Sequence, residues 1–368
     1  MRRVVIIGGG VAGLAAAASF AEEGWQTTVY EKNPGLRANG NGFPIFPNGA
    51  RVLTSVAGRE AVEAAGWRLD RLQIRDSAGK DIVAFDASRA VGTEGLAMFK
   101  RQNIISLLAG AAKKSGAELK GGRTLAAVHD GQVAEFEDGE TVEADLIVGA
   151  DGVFSRVRRN IMADVPLKDH RKGAVRTLIP YTPDDFEQSP LREGYEYNDT
   201  SGRRVGLYPV SETEMYLLLV FLREDTEVQS LPVDPGLWNK TFVTLEKFLR
   251  RIDGGAHMDF YHSVEPPRWS VGRVAIVGDA AHGMTPALGQ GANTSLMTGY
   301  SLGKCVARGD DVEASLQRWE KMMRPLVGFV QRYAEGMTAG RFDPRNDIFF
   351  TEPVVEPLLQ ADVPGIFA

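Results

Sequence analysis

The sequence predicts a mixed α/β (α+β) chain: a parallel-sheet domain with an antiparallel sheet inserted into it and a long helix near the C-terminus. Three observations predict it. Apolar, mostly β-branched runs at Val4-Val5-Ile6-Ile7, Leu146-Ile147-Val148 and Val274-Ala275-Ile276-Val277 each run into a glycine, the pattern of strands buried on both faces. Between the last two runs, residues 173–180, 194–198, 203–209 and 214–222 carry aromatic and arginine side chains at alternating positions, the period of antiparallel strands. Beyond the third run, residues 311–333 read as one long helix, kinked at Pro325.

The chain is organised around Gly8-Gly9-Gly10-Val11-Ala12-Gly13. This cluster follows the first strand and opens an alanine-rich helix over residues 14–23. A second strand, residues 27–30, then ends on Glu31. Gly8 permits the tight turn, Gly10 lets backbone approach a pyrophosphate, and Gly13 lets the helix pack close to the strand. The pyrophosphate would sit on the unpaired N–H groups and positive dipole end of the helix. Glu31 would accept hydrogen bonds from the adenosine ribose hydroxyls and disfavour a 2′-phosphate. The whole unit reads as a Rossmann-like, dinucleotide-binding start. A secretory signal peptide and a membrane span compete for the same stretch, since Met1-Arg2-Arg3 precedes an uncharged run to Ala21. Both fail at the glycine cluster and at Glu31, so the segment is expected to stay in the mature protein with no membrane span.

Composition narrows the class. The 368 residues suffice for two domains, and 43% hydrophobic with 24% charged residues is ordinary for a globular protein. A net charge of −6 argues against a nucleic-acid surface. One cysteine, Cys305, allows no internal disulfide, fits a cytoplasmic location and reads as a helix-packing residue. The five histidines show no metal-ligand spacing, so no metal is expected.

In chain order, residues 34–42 read as a loop containing Arg37, and Asn48 as the cap of a helix through Leu53. Residues 68–75 and 81–85 suggest a hairpin, and 98–101 a short strand leading into a helix over 102–114. Residues 124–129, 132–137 and 141–148 suggest three strands joined by Asp-Gly turns. The last runs into Ala150-Asp151-Gly152, which places Asp151 at the carboxyl end of a sheet, where α/β ligands bind; a turn with a capping aspartate is the alternative. Residues 234–251 read as a helix with Pro235 in its first turn. The third apolar run ends on Gly278-Asp279, and Pro286, Gly289, Gly291, Ala292 and Asn293 then open a helix to about Ala307. A glycine-rich loop at a helix start offers backbone donors to an anion or a ring carbonyl. His282 reads as a packing residue rather than a base, and the tail from residue 341 as irregular.

Three motifs in this order, Gly8/Gly10/Gly13 with Glu31, then Asp151-Gly152, then Gly278-Asp279, resemble the flavoprotein aromatic hydroxylases, single-component FAD monooxygenases of the para-hydroxybenzoate hydroxylase type. The resemblance covers about residues 2–335. It implies one extended FAD, with Gly10 at the pyrophosphate and Glu31, next to Lys32, at the ribose. Arg37 and Arg101 match cofactor-side arginines, and Asp279 the residue at the ribityl chain or the pyrophosphate side. Gly289, Gly291, Ala292 and Asn293 match the loop whose N–H groups face the flavin pyrimidine, and Pro286 the proline whose carbonyl faces the substrate. Two positions depart from the pattern. Met297-Thr298 stand where a Glu-Asp pair is usual, and Lys100 where histidine is common. The first departure points toward a branch similar to methyl-hydroxypyridine carboxylate oxygenase, whose pocket arginines and tyrosine match Arg176, Arg204 and Tyr216. A guanidinium there would clamp a substrate carboxylate or phenolate, and Tyr216 could relay a proton. Exposed arginines and a core tyrosine are the alternative.

The implied function is an NAD(P)H-dependent FAD monooxygenase, a monomer or homodimer. Using NADH or NADPH and O2, it would act through a flavin hydroperoxide to hydroxylate, with or without ring opening, a small electron-rich aromatic or N-heteroaromatic carrying an acidic group. A reductase or halogenase on the same fold is the rival, though none of Trp25, Trp67, Trp238, Trp269 and Trp319 forms a halogenase Trp-x-Trp pair. A flavin-binding protein without turnover is a third possibility. The expected domains are residues 1–74, 98–168 and 265–340 for the FAD-binding part, 75–97 and 169–264 for the substrate-binding sheet, and 341–368 for a tail.

Overall fold

Four apolar residues in a row offer water no polar face, and the strand Arg3–Ile7 is accordingly buried at the centre of a six-stranded sheet. The computed structural model describes residues 1–36, 42–87, 96–186 and 192–340; Arg37 and the tail 341–368 lie outside them. The sheet order is Ser270–Val271, Val274–Ile276, Leu146–Gly149, Arg3–Ile7, Gln26–Glu31 and Glu118–Gly121, all parallel except the first pair. Arg3–Ile7 thus has its sequence neighbour on one side and a far later strand on the other. That reversal of strand order leaves a crevice at the carboxyl ends, where α/β folds take ligands.

Helix Val11–Glu22 packs on this sheet, and helix Gly291–Ala307 packs on that helix. Two glycines permit the close approach: a Cβ on Gly299 would stand 2.2 Å from the Ala12 carbonyl oxygen, and one on Gly303 would stand 2.4 Å from Ser19 Oγ. Ser19 then donates to the Tyr300 carbonyl at 2.8 Å. Met297 and Thr298, the departure from the Glu-Asp pair, are both fully buried on this helix.

A seven-stranded sheet forms the second layer, in the order His257–Val264, Leu167–Pro180, Glu214–Leu222, Arg204–Pro209, Glu193–Asn198, Arg71–Asp76 and Asp81–Asp86. All pairs are antiparallel except Glu193–Asn198 with Arg71–Asp76. The strand Arg71–Asp76, which straddles the expected boundary after residue 74, pairs wholly in this sheet. A three-stranded sheet of Gly42–Ile45, Leu96–Lys100 and Gly66–Leu69 lies between the layers, and Lys100 reaches from it to Glu214 of the seven-stranded sheet.

Several expectations need correction. The run 141–148 is two strands: Thr141–Glu143 closes a small antiparallel sheet, and Leu146–Gly149 enters the parallel one. Asp145 makes the transfer, its carboxylate accepting from the Arg3 N–H at 2.8 Å and its own N–H donating to the Arg3 carbonyl. Residues 234–251 are not one helix but Pro235–Asn239 and Glu246–Leu249 with a short 3-10 turn between, as Trp238, Phe242 and Phe248 turn into a core of their own. Asn48 is no cap: it lies inside helix Pro47–Ala57, and its amide donates to Gln290 Oε1 at 3.0 Å. The strand His257–Val264 was not anticipated, and the last helix runs on past residue 333, over Val312–Gly340. Among the described residues no helix is long and apolar enough to cross a membrane.

Candidate active site

A cavity of about 1640 Å³ runs from the glycine cluster to the inner face of the seven-stranded sheet. Single-ligand pockets are typically ~300–1,000 Å³, so the space suits a dinucleotide together with a small ring. At the nucleotide end the glycines divide their work. Gly8 has φ +110°, and a Cβ there would lie 2.3 Å from the Ala150 carbonyl oxygen. One on Gly13 would lie 2.0 Å from the Gly8 carbonyl oxygen, so Gly13 sets the packing and does not line the cavity. Gly10 and Gly291 line it, and nothing stands within 4 Å of where their Cβ atoms would be.

Both helices that begin here, Val11–Glu22 and Gly291–Ala307, lack a side-chain cap and an acidic residue in the first turn. Their first N–H groups and dipole ends are left to a ligand. This cradle fits the pyrophosphate and the ring carbonyl of FAD. Glu31 and Lys32 line the cavity. The Glu31 carboxylate accepts from the Gly9 N–H at 2.9 Å and the Asn33 N–H at 3.0 Å, which fixes it beneath the turn.

Asp151 borders the cavity, yet its oxygens serve the next helix. They accept from Ser155 Oγ at 2.5 Å, from the Arg156 N–H at 2.6 Å and from the Val157 N–H at 3.2 Å. Asp151 thus supports the start of this helix, whose cap is Ser155, while it stays on the cavity wall. Burial raises its pKa, and those hydrogen bonds oppose the rise. Arg158 is buried and clamps the two acidic motifs together. It donates to the Ala280 carbonyl at 2.7 Å and to the Val153 carbonyl at 2.6 Å.

Asp279 opens into the cavity; desolvation by the surrounding protein raises its pKa, Arg101 opposes this and Asp259 adds to it. Pro286 lines the cavity, and its carbonyl accepts from the Gly289 N–H at 3.0 Å and closes the turn. Gly289 holds φ +63°, and a Cβ there would strike Pro44 at 2.6 Å. Ala292 faces the cavity. Asn293 lies fully buried behind the wall, where its side chain accepts from the Phe46 N–H and donates to the Pro44 and Gly289 carbonyls. His282 is buried against Thr298 Oγ1 at 3.0 Å, and burial pushes its pKa down to about 3, which keeps it neutral.

The three substrate-side residues, Arg176, Arg204 and Tyr216, do meet on the cavity wall. Burial pushes the Tyr216 hydroxyl up to about 12, with Arg176 opposing and Tyr261 and Asp259 adding. Tyr216 stacks on Tyr208, its cross-strand partner, with ring centroids 6.0 Å apart. Neither arginine is the exposed group of the alternative reading, and neither is without a partner: Arg176 pairs with Asp259, and Arg204 with Glu196. Burial opposes the charge of Arg176, while Tyr216, Tyr261 and Asp259 hold its pKa above the usual arginine value.

Glu196, Asp259 and Tyr261 were not singled out in the sequence. The period-two pattern Gly194-x-Glu196 carries the signal for Glu196, an acid paired across the strands with Gly206 on the same face. Asp259 and Tyr261 were lost with their strand.

A dinucleotide cradle joined to an aromatic, arginine-bearing sheet face defines a nucleotide-cofactor enzyme for small rings. A family model described as FAD binding domain matches residues 1–330, and the chain belongs to that family. It is 32% identical over 327 residues to the 2-heptyl-3-hydroxy-4(1H)-quinolone synthase of Mycobacteroides abscessus, covering 88% of this chain and 86% of that protein. It is 30% identical over 353 residues to the 3-amino-4-hydroxybenzoate 2-monooxygenase of Streptomyces cremeus, covering 90% and 86%. The tetrameric form of 2-methyl-3-hydroxypyridine-5-carboxylic acid oxygenase superposes with a TM-score of 0.91 at 29% identity, over 99% of this chain and 97% of that one. The protein is an FAD-dependent monooxygenase of the aromatic hydroxylase kind.

Proposed function

We propose that the enzyme uses NADH or NADPH and O2 to hydroxylate a small, electron-rich aromatic or N-heteroaromatic ring held between the flavin and the seven-stranded sheet. The continuity of one cavity from Gly10 to Tyr216 carries this reading. When bound, FAD supplies the electron transfer and oxygen activation that side chains cannot. The residues then divide the remaining work. The start of helix Val11–Glu22 would hold the pyrophosphate, with Glu31 to meet the ribose and Asp279 the ribityl side. The N–H groups of Gly291 and Ala292 would stabilise negative charge on the bound ring system, an effect of about 3 kcal/mol per donor. Tyr216, with its pKa near 12, stays protonated at neutral pH and donates a hydrogen bond to the substrate oxygen. Leu218, Met98 and Phe46 line the cavity beside it and exclude water.

Anaerobic stopped-flow reduction of the bound flavin tests the function. With NADH and NADPH and a panel of hydroxylated quinolines, pyridines and aminophenols, one ring class should accelerate flavin bleaching by orders of magnitude. Equal rates with and without every ring would favour a reductase instead.

A further inference from the structure

The loop that would face the flavin ring has little secondary structure of its own. Residues 283–285 belong to no helix or strand, and a single 3-10 turn, Pro286–Leu288, follows before helix Gly291–Ala307 begins. Met284 to Gly289 all line the cavity. Their support comes from the last turns of helix Val312–Gly340. There Gln331, Ala334, Glu335 and Thr338 stand at three- and four-residue spacing, so the helix presents them on one face. Gln331 Nε2 donates to the Gly283 carbonyl at 3.0 Å and to the Val264 carbonyl at 2.6 Å. The Thr338 hydroxyl donates to Thr285 Oγ1 at 2.7 Å, and Thr285 in turn donates to the Ala334 carbonyl at 2.9 Å. Glu335 accepts from Ser263 Oγ at 2.5 Å. Beside this row Val330, Ala334 and Met337 form a small core with Leu288, and Met284 and Ala287 pack against it. One helix face therefore holds two cavity walls together: the loop, and the strand His257–Val264 that carries Asp259 and Tyr261.

Thr285, Gln331 and Thr338 are all buried. Apolar side chains could fill the same space without the desolvation cost of a hydroxyl or an amide. What buried hydrogen bonds add is a fixed position, since each one constrains both distance and direction. Position matters at this loop. It leads into Gly291 and Ala292, whose N–H groups stabilise charge on a bound ring only while they stay aimed at it.

We infer, resting on the function proposed above, that Gln331 and Thr338 are positioning residues. They act through Gly283 and Thr285 to hold the flavin-facing loop in place, and so set how strongly the protein favours the reduced, negatively charged flavin. Neither residue lines the cavity, so neither acts by touching the cofactor.

The test measures the two-electron midpoint potential of the FAD-loaded protein by anaerobic dye equilibration, with thermal melts alongside, and it needs no ring substrate. Thr338→Val removes the hydroxyl at nearly constant volume. It should lower the potential by about 30 mV, a tenfold loss of preference for the reduced flavin. Thr338→Ser keeps the hydroxyl and should recover at least half of that shift. Gln331→Met removes the amide and should lower the potential in the same direction, which keeps the inference testable if one variant does not fold. An unchanged or raised potential, equal shifts in the valine and serine variants, or an earlier melt at the wild-type potential would each overturn the inference. The last of these would reduce the contacts to stability alone. A wild-type protein that takes up no FAD would overturn the function proposed above and this inference with it, and its spectrum shows this before any variant is made.

Discussion

Gly10 and Gly13 are three residues apart in one motif, and the structure gives them separable duties. A methyl group on Gly13 meets the Gly8 carbonyl oxygen at 2.0 Å. Gly13→Ala should therefore destabilise the fold itself, by about 1–3 kcal/mol. Gly10→Ala meets no protein atom, so it should leave the melting temperature of the flavin-free protein unchanged and weaken FAD retention. Thermal melts of both variants with and without FAD check this, and a Gly10→Ala loss of stability without FAD would refute the assignment. His282 offers a pH test. The unfolded chain protonates it near 6.5, the folded one only near 3, so acid favours the unfolded state. Stability should fall as pH drops below about 6.5, with His282 contributing up to about 1.4 kcal/mol per pH unit. Urea titrations at pH 7 and 5 should give a smaller pH effect in His282→Gln than in the wild type; equal effects would place the pH dependence elsewhere.

At the level of elements, the two acidic motifs were legible in the sequence but their connection was not. Asp151-Gly152 and Gly278-Asp279 are both strand ends, visible as apolar runs that stop on glycine. What joins them is Arg158, whose two carbonyl partners depend on tertiary placement and leave no sequence pattern. Arg158→Met should cost about 2–4 kcal/mol, because two buried carbonyls lose their donor, and it should loosen FAD as well. Chemical denaturation with a parallel flavin-release measurement checks both, and a loss below 1 kcal/mol would argue against the clamp. The same limit explains Asp151, where spacing alone could not show that its oxygens hold Ser155, Arg156 and Val157 at the start of the next helix while it borders the cavity. It also explains Arg204. Its position on the pocket face followed from period-two alternation, but its partner Glu196 lies on a neighbouring strand whose register no local pattern specifies. The broken helix near Trp238 shows the opposite failure, as core packing overrode a helical composition.

At the scale of the whole molecule, the parallel sheet draws its strands from almost the full length of the chain. Arg3–Ile7 pairs with Leu146–Gly149, and that strand pairs with Val274–Ile276. The seven-stranded sheet is equally dispersed, joining Arg71–Asp76 to Glu193–Asn198. Pairings this distant in sequence carry a large loop-closure cost before they return any contact, and they slow folding. During synthesis the first strand emerges together with its neighbour Gln26–Glu31 but long before its other partner, Leu146–Gly149, exists. With ribosomes adding ~5–20 residues per second, the nascent chain holds its apolar start exposed for many seconds, within reach of chaperones. The nucleotide cradle, assembled from the first and last thirds of the chain, forms only near the end of translation.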